Sequence, residues 1–289
     1  MSAGGSLGAG GLMRIRHRTG FSYAGAVSSS YNEARMIPQS EARQTTLDAH
    51  VEVWPPARTQ RYRDYWGSQV FAFDVQVPHA VLTVTATATV DTRPAPPPDE
   101  GAAWGSLQTD AVRDRWCEYL LATDLTTVDD ELAATAAELR GRADRPMECG
   151  LAVASYVREQ VTYLPGSTGV HTSALQAWQQ RSGVCQDISH LTLGLLRAAG
   201  IPARYVSGYL HPDPKAEIGA LVVGQSHAWV EWWSGEWNAF DPTNGVPVSA
   251  HHVVVGRGRD YGDVPPLKGV YSGPAGTAQG VEVEIVRLR

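Results

Sequence analysis

Hydrophobic periodicity changes from two to helical and back to two along this chain, and that change limits the fold more than any other feature. Over residues 13–92, Ile15, His17, Thr19, Phe21 and Tyr23 form one alternating row, and Leu47, Ala49, Val51 and Val53 a second. Phe71, Phe73, Val75 and Val77 form a third, and Leu82, Val84, Ala86, Ala88 and Val90 a fourth. Period two marks half-buried antiparallel strands, because successive side chains point to opposite faces. Gly67-Ser68, between Trp66 and Gln69, reads as a hairpin turn. The segment is expected to form a small β-sandwich or layered sheet.

Residues 93–101 (Arg-Pro-Ala-Pro-Pro-Pro-Asp-Glu-Gly) form a Pro-rich linker that closes this N-terminal β domain. Beyond it the period becomes helical. Val112, Trp116, Tyr119 and Leu120 share a face. Asp129 to Arg140 starts acidic and ends basic before Gly141, as a capped helix does. Pro146 to Val161 is a further helix. Ser173-Ala-Leu-Gln176 is a capping box, and Cys185 to Ala199 is a helix stopped by Gly200 and Pro202. Strands then return at Arg204–Tyr209, Ala220–Val223, Ala228–Trp233, Glu236–Asp241 and Val281–Val286. Residues 102–289 therefore read as one core with C-terminal strands, and the whole chain as α+β. The first 12 residues are mostly Gly, Ala and Ser and read as a disordered tail; translation from Met1 and from Met13 both fit.

Composition excludes several classes. Of 289 residues, 43% are hydrophobic and 19% charged, with a net charge of −6, as in an ordinary globular protein. No dense Lys/Arg run offers an electrostatic footprint for nucleic acid or an anionic membrane. Arg14, Arg16 and Arg18 read as a solvated strand face. No apolar run is long enough for a membrane span, and the tail lacks the basic and apolar regions of a secretory signal. The three cysteines, Cys117, Cys149 and Cys185, have no zinc-ligand spacing. An odd number argues against a disulfide framework and suits a reducing, cytoplasmic compartment. Cys117 and Cys149 lie in helical patterns and read as structural.

Cys185, His227 and Asp241 carry the chemistry. A free thiol is largely protonated at neutral pH, and a helix N-terminus with its partial positive charge favours thiolate. Cys185 opens an apolar helix and is flanked by Ser182, Gln186 and Asp187. A nucleophile, a base and an orienting carboxylate are what covalent acyl transfer requires. On a strand, His227 shares a face with Trp229, Glu231 and Trp233. A two-residue Ser234-Gly235 turn would put His227 and Asp241 on opposite faces of the hairpin. A three-residue Trp233-Ser234-Gly235 loop pairs Trp232 with Glu236 and sets His227 directly opposite Asp241, with Gly235 at the position that needs positive φ. The longer loop is therefore expected. Trp229 is a candidate lining of an acyl slot, and Tyr163 with the Pro165–Val170 loop a candidate cleft wall. Gln186 and Tyr163 are candidate oxyanion donors beside the Cys185 backbone N–H. The adjacent pair His251-His252 points to opposite sides of any strand, so no metal site is expected.

Arg181-Ser-Gly-Val-Cys185-Gln-Asp, Arg197 to Tyr209, Ser226-His-Ala-Trp229 and Phe240-Asp-Pro-Thr243 together resemble the transglutaminase-like superfamily, whose core is a papain-like Cys-His-Asp fold. The flanks resemble its bacterial subgroup with an N-terminal β domain: His17-Arg-Thr19 with Phe21 and Tyr23, then Gly258-Arg-Asp-Tyr261 and Gly269-Val-Tyr-Ser272. The resemblance implies acyl transfer at amide bonds of peptides or proteins by Cys185, His227 and Asp241. It leaves open whether water or an amine accepts the acyl group. Calcium serves some relatives, but no EF-hand-like loop is present here, so no cofactor is expected. Two other functions compete. One is a non-catalytic protein-binding module that keeps the fold and recruits a peptide through a strand edge. The other, an acyl-CoA-dependent acyltransferase, lacks a basic cluster for the CoA phosphates.

Overall fold

A computed structural model describes residues 10–94, 101–213 and 215–289. Its N-terminal strands are β1 (Gly11–Val27), β2 (Ser29–Ala34), β3 (Gln44–Trp54), β4 (Thr59–Arg63), β5 (Gln69–Val75) and β6 (His79–Thr92). Helices follow as α1 (Trp104–Leu107), α2 (Asp110–Arg115), α3 (Asp130–Arg142), α4 (Pro146–Gln160), α5 (Ala174–Gln180) and α6 (Cys185–Ala198). Two-residue strands β7 (Thr162–Tyr163) and β8 (Ser182–Gly183) flank α5. After α6 come β9 (Ala203–Leu210), β10 (Leu221–Trp233), β11 (Trp237–Asp241), β12 (Val246–Pro247) and β13 (His252–Gly258). The chain ends with β14 (Leu267–Ser272), β15 (Gly276–Ala278) and β16 (Glu282–Arg287). The α+β class holds.

The four alternating rows are β1, β3, β5 and β6, and they lie in two layers. β1, β6 and β3 belong to a ten-stranded sheet, while β5 joins β14, β2 and β4 in a four-stranded one. Tyr23, Val27, Met36, Ile37, Phe73, Val75, Leu82 and Val84 pack in one buried cluster. The expected turn at Gly67-Ser68 is the end of a longer loop: Arg63 pairs with Gln69, leaving residues 64–68 between the strands. Asp64 accounts for the length, since its Oδ1 accepts from Ser68 N at 2.8 Å and its Oδ2 from the buried Arg35 guanidinium at 2.8 Å. Gly11 and Leu12, expected in a disordered tail, belong to β1 and pair with Thr92 and Asp91. Residues 1–9 and most of the Pro-rich linker lie outside the described residues.

The C-terminal strands run back across the N-terminal ones. β16 pairs with β1 on one side and with the first residues of β10 on the other, so one sheet crosses from the N-terminal strands into the core. Its sequence explains the placement. Val283 and Ile285 bury beside Met13, Ile15, Tyr209, Val253 and Val255. Glu284 and Glu282 point outward to Arg16 at 3.1 Å and Arg18 at 3.4 Å, the solvated face expected of those arginines. The two segments expected as separate strands at Ala220–Val223 and Ala228–Trp233 are the single strand β10.

Helix α6 is the central rod of the core. Ile188, Leu191, Leu193, Leu195 and Leu196 are buried around it, against α3, α4, α5 and the sheet. Burial of each such side chain stabilises by roughly 1.5–3 kcal/mol. α3 is capped by Asp129, whose side chain accepts from Leu132 N, and α5 by the Ser173–Gln176 capping box. Gly200 stops α6 at positive φ. Among the described residues no helix is long and apolar enough to cross a membrane.

Candidate active site

Cys185 is the first residue of α6, where backbone N–H groups have no partner within the helix. Asp187 shapes this end. Its Oδ2 accepts from Val184 N at 2.8 Å and from Thr168 Oγ1 at 2.6 Å, joining the helix start to the loop after β7. Burial raises the Asp187 pKa while these donors oppose the rise. A Cβ at Gly183 would meet Asp187 Cβ at 2.7 Å, so only glycine lets the carboxylate reach back. Cys185 itself is half-buried against the main core.

His227 and Asp241 are joined by a hydrogen bond of 2.7 Å between Nε2 and Oδ2. The β10–β11 hairpin that brings them together differs from the expected one. Trp233 pairs with Trp237 and Val230 with Phe240, so the loop is Ser234-Gly235-Glu236, still three residues but moved by one position. Gly235 has φ +101°. The two tryptophan rings account for the register: they lie 5.6 Å apart, and Trp116 packs on both, at 5.1 and 4.9 Å. The shift leaves parity unchanged, so His227 and Asp241 share a face. Continuing the ladder sets Asp241 level with Trp229 and diagonal to His227, not directly opposite it. Diagonal cross-strand neighbours remain within reach of such side chains.

Asp241 accepts from five groups. Oδ2 receives His227 Nε2, His252 Nε2 at 3.2 Å and Asn244 Nδ2 at 2.7 Å. Oδ1 receives Thr243 N at 3.0 Å and Asn244 N at 3.1 Å. Burial works against the charged carboxylate, but these donors overcome it and hold its pKa far below the usual range. Burial likewise opposes a charged His227; the bond to Asp241 and the neighbouring Cys185 thiol reverse that and raise its pKa to about 10. His227 Nε2 is taken by Asp241, so the interaction with the Cys185 side chain falls to Nδ1, which meets no other polar group among the described residues. Asp241 and Cys185 thus both favour the charged imidazolium that lies between them.

The other candidates divide. Tyr163 lines a cleft of about 460 Å³ together with His227, Asn244, Val246, His251 and His252. Burial and the nearby Cys185 raise the Tyr163 pKa, so its hydroxyl stays protonated. Gln186 does not reach this cleft: its amide donates to Val170 O at 3.1 Å and ties the loop to α6. Trp229 lines no acyl slot. It is fully buried with Val206, Val248 and Val254, because a glycine at 208 lets its ring cover the backbone of β9, where a Cβ would lie 2.4 Å from the ring. His252 and Glu231 went unassigned in the sequence. Glu231 is buried between Arg204 and Arg257, and Arg257 also binds Glu41 at 2.6 Å. His227, Asp241 and His252 place three metal-type ligand atoms within 4.8 Å of one another. Besides the two histidines, the carboxylate accepts from Thr243 N, Asn244 N and Asn244 Nδ2.

The transglutaminase-like superfamily profile matches residues 133–242, which contain all three residues, and the bacterial transglutaminase-like N-terminal region matches residues 13–91. An uncharacterised protein of Mycobacterium leprae is 47% identical over 96% of this chain and 99% of its own length. A protein-glutamine gamma-glutamyltransferase of Pseudomonas aeruginosa is 40% identical over 86 residues, 28% of this chain and 13% of that protein. A crystal structure from Cytophaga hutchinsonii, provisionally assigned as a cysteine protease, superposes with a TM-score of 0.78 over 97% of this chain and 91% of that one, at 24% identity. The chain thus has a transglutaminase-like, papain-like fold preceded by the bacterial N-terminal β region, and it belongs to the bacterial transglutaminase-like family.

Proposed function

We propose that the protein is a thiol enzyme that takes acyl groups from amide bonds of peptides or proteins, with Cys185 as nucleophile, His227 as acid and base, and Asp241 as the group that orients and charges His227. One observation carries this: His227 is bonded to Asp241 at 2.7 Å and neighbours Cys185, and both favour its charged form. The family assignment and the short match to a gamma-glutamyltransferase support it.

The Cys185 sulfur, as the thiolate paired with the His227 imidazolium, attacks the amide carbonyl carbon, and the carbonyl oxygen becomes an oxyanion. The Cys185 backbone N–H, unpaired within the helix, and the protonated Tyr163 hydroxyl are the donors for it. The oxyanion collapses, His227 gives its proton to the nitrogen, and the amine leaves. The acyl group remains on sulfur as a thioester. Water or a primary amine then attacks, His227 takes the attacking group's proton, and the thiolate is restored. The first acceptor gives an acid, the second a new amide. The three free cysteines suit a reducing, cytoplasmic setting, where a catalytic thiol persists.

The test is to trap the acyl-enzyme. Glutamine-containing and other small peptides are incubated with the protein, quenched in acid and analysed by mass spectrometry, then chased with water or a primary amine. An acyl adduct on Cys185, absent in Cys185→Ala, is expected, and the chase product names the acceptor. Adducts absent from Cys185 under every substrate, with product still forming, would overturn the proposal.

A further inference from the structure

Asp241 has more donors than orienting His227 demands, and His252 is the one that stands apart. It opens β13, is 7% exposed, and places Nε2 3.2 Å from Asp241 Oδ2, the oxygen that also holds His227. The opposite side of the ring fixes its tautomer. Ser249 N–H points at His252 Nδ1 from 3.2 Å. A backbone N–H can only donate, so Nδ1 carries no proton. The ring is then neutral, its single proton is on Nε2, and Nε2–H donates to the carboxylate. The surroundings agree: burial first, then His227 and Arg43, disfavour a charged His252, with Asp241 alone acting the other way. The ring is wedged against the edge of Trp229, 5.3 Å between centroids, and 6.2 Å from the His227 ring.

We propose that His252 is a positioning residue for the reacting trio: a neutral donor that shares Asp241 Oδ2 with His227 and weakens the carboxylate's hold on the imidazolium. The proposal rests on the assignment of Cys185, His227 and Asp241 given above. A carboxylate that bound the imidazolium alone would keep its proton more firmly and slow its transfer to the leaving amine. A further N–H on the same oxygen, beside that of Asn244 Nδ2, draws off part of that interaction. Orientation does not depend on His252, because Thr243 N, Asn244 N and Asn244 Nδ2 also grip the carboxylate. Loss of His252 therefore changes the strength of the His227–Asp241 pair more than its geometry.

Imidazole NMR of the full chain labelled with ¹⁵N-histidine tests this without any substrate, so an inert Cys185 and an uninvolved His252 give different results. In wild type, His252 is expected neutral with its proton on Nε2 from pH 6 to 8. In His252→Gln, whose amide restores an N–H near the same place, the His227 titration midpoint stays where it was. In His252→Phe, which keeps a buried ring and loses the donor, that midpoint rises by about half a pH unit or more, roughly a threefold gain in proton affinity. A charged or Nδ1-protonated His252 at pH 7 would overturn the proposal. So would a His227 midpoint unmoved or lowered in His252→Phe, or moved alike in both variants. A residue that only fills space would lower the melting temperature of both variants and leave the His227 midpoint alone.

Discussion

At the scale of single residues, Asp241 does two jobs. It closes β11 as a turn former, accepting from the backbone of Thr243 and Asn244, and it also binds His227. The two are compatible because they use different oxygens. Oδ1 takes the turn and Oδ2 takes the histidines, with the Asn244 side chain joining them. The turn thereby anchors the carboxylate before any ligand arrives. Cys185, His227 and Asp241 stand out in the sequence by residue type and order. His252 does not, because its role depends on which ring nitrogen meets which partner, and a pair of adjacent histidines carries no such information.

At the scale of elements, the β10–β11 hairpin sets the site through parity. Gly235 holds φ +101°, and a Cβ there would lie 3.1 Å from Ala102 Cβ, so both conformation and space favour glycine. Gly235→Ala is expected to destabilise by about 1–3 kcal/mol, seen as a lower denaturant midpoint. An unchanged midpoint would show that the loop is slack and does not govern the register. Strands with alternating apolar residues, such as β1 and β6, were legible in the sequence, as were capped helices. β2 and β4 were not. β2 turns Ser30 and Asn32 inward, where they hydrogen-bond each other, and β4 is exposed along its whole length, so neither shows apolar alternation. The hairpin's parity was legible from loop length and Gly235. Its register was not, since packing of Trp233 and Trp237 on the distant Trp116 decides it. The same tertiary override removes Gln186 and Trp229 from the cleft.

At the scale of the whole molecule, the N-terminal strands are fastened to the core by buried polar contacts. His17 of β1 bonds through Nδ1 to the Tyr209 hydroxyl at 2.9 Å, and that hydroxyl donates to Met36 O at 2.7 Å. Because the hydroxyl proton goes to Met36, His17 Nδ1 is the donor to Tyr209, and Nε2 is buried without a partner. Burial lowers the His17 pKa to about 4, and burial with Arg197 nearby lowers that of His190 to about 3. The unfolded chain takes up these protons below pH 6.5 while the folded chain does not. Stability that is present above pH 6.5 is therefore lost as pH falls toward 4 and 3. Melting curves from pH 7 to 4 should show this loss, and His17→Asn, whose amide can still donate to Tyr209, should lose less over the same interval. Equal losses in the two proteins would remove His17 from the explanation.

On the proposed function, fold and hairpin together make Cys185 a nucleophile paired with His227. The most direct measurement is the rate of iodoacetamide alkylation at pH 7, read by peptide mass spectrometry at Cys185 and at the exposed Cys117 of the same molecules. Half-buried Cys185 is expected to react about tenfold faster than Cys117 or more, as a thiol beside an imidazolium at a helix start does. This advantage is expected to disappear in His227→Ala. Cys185 reacting no faster than Cys117, or as fast without His227 as with it, would rule out the pairing.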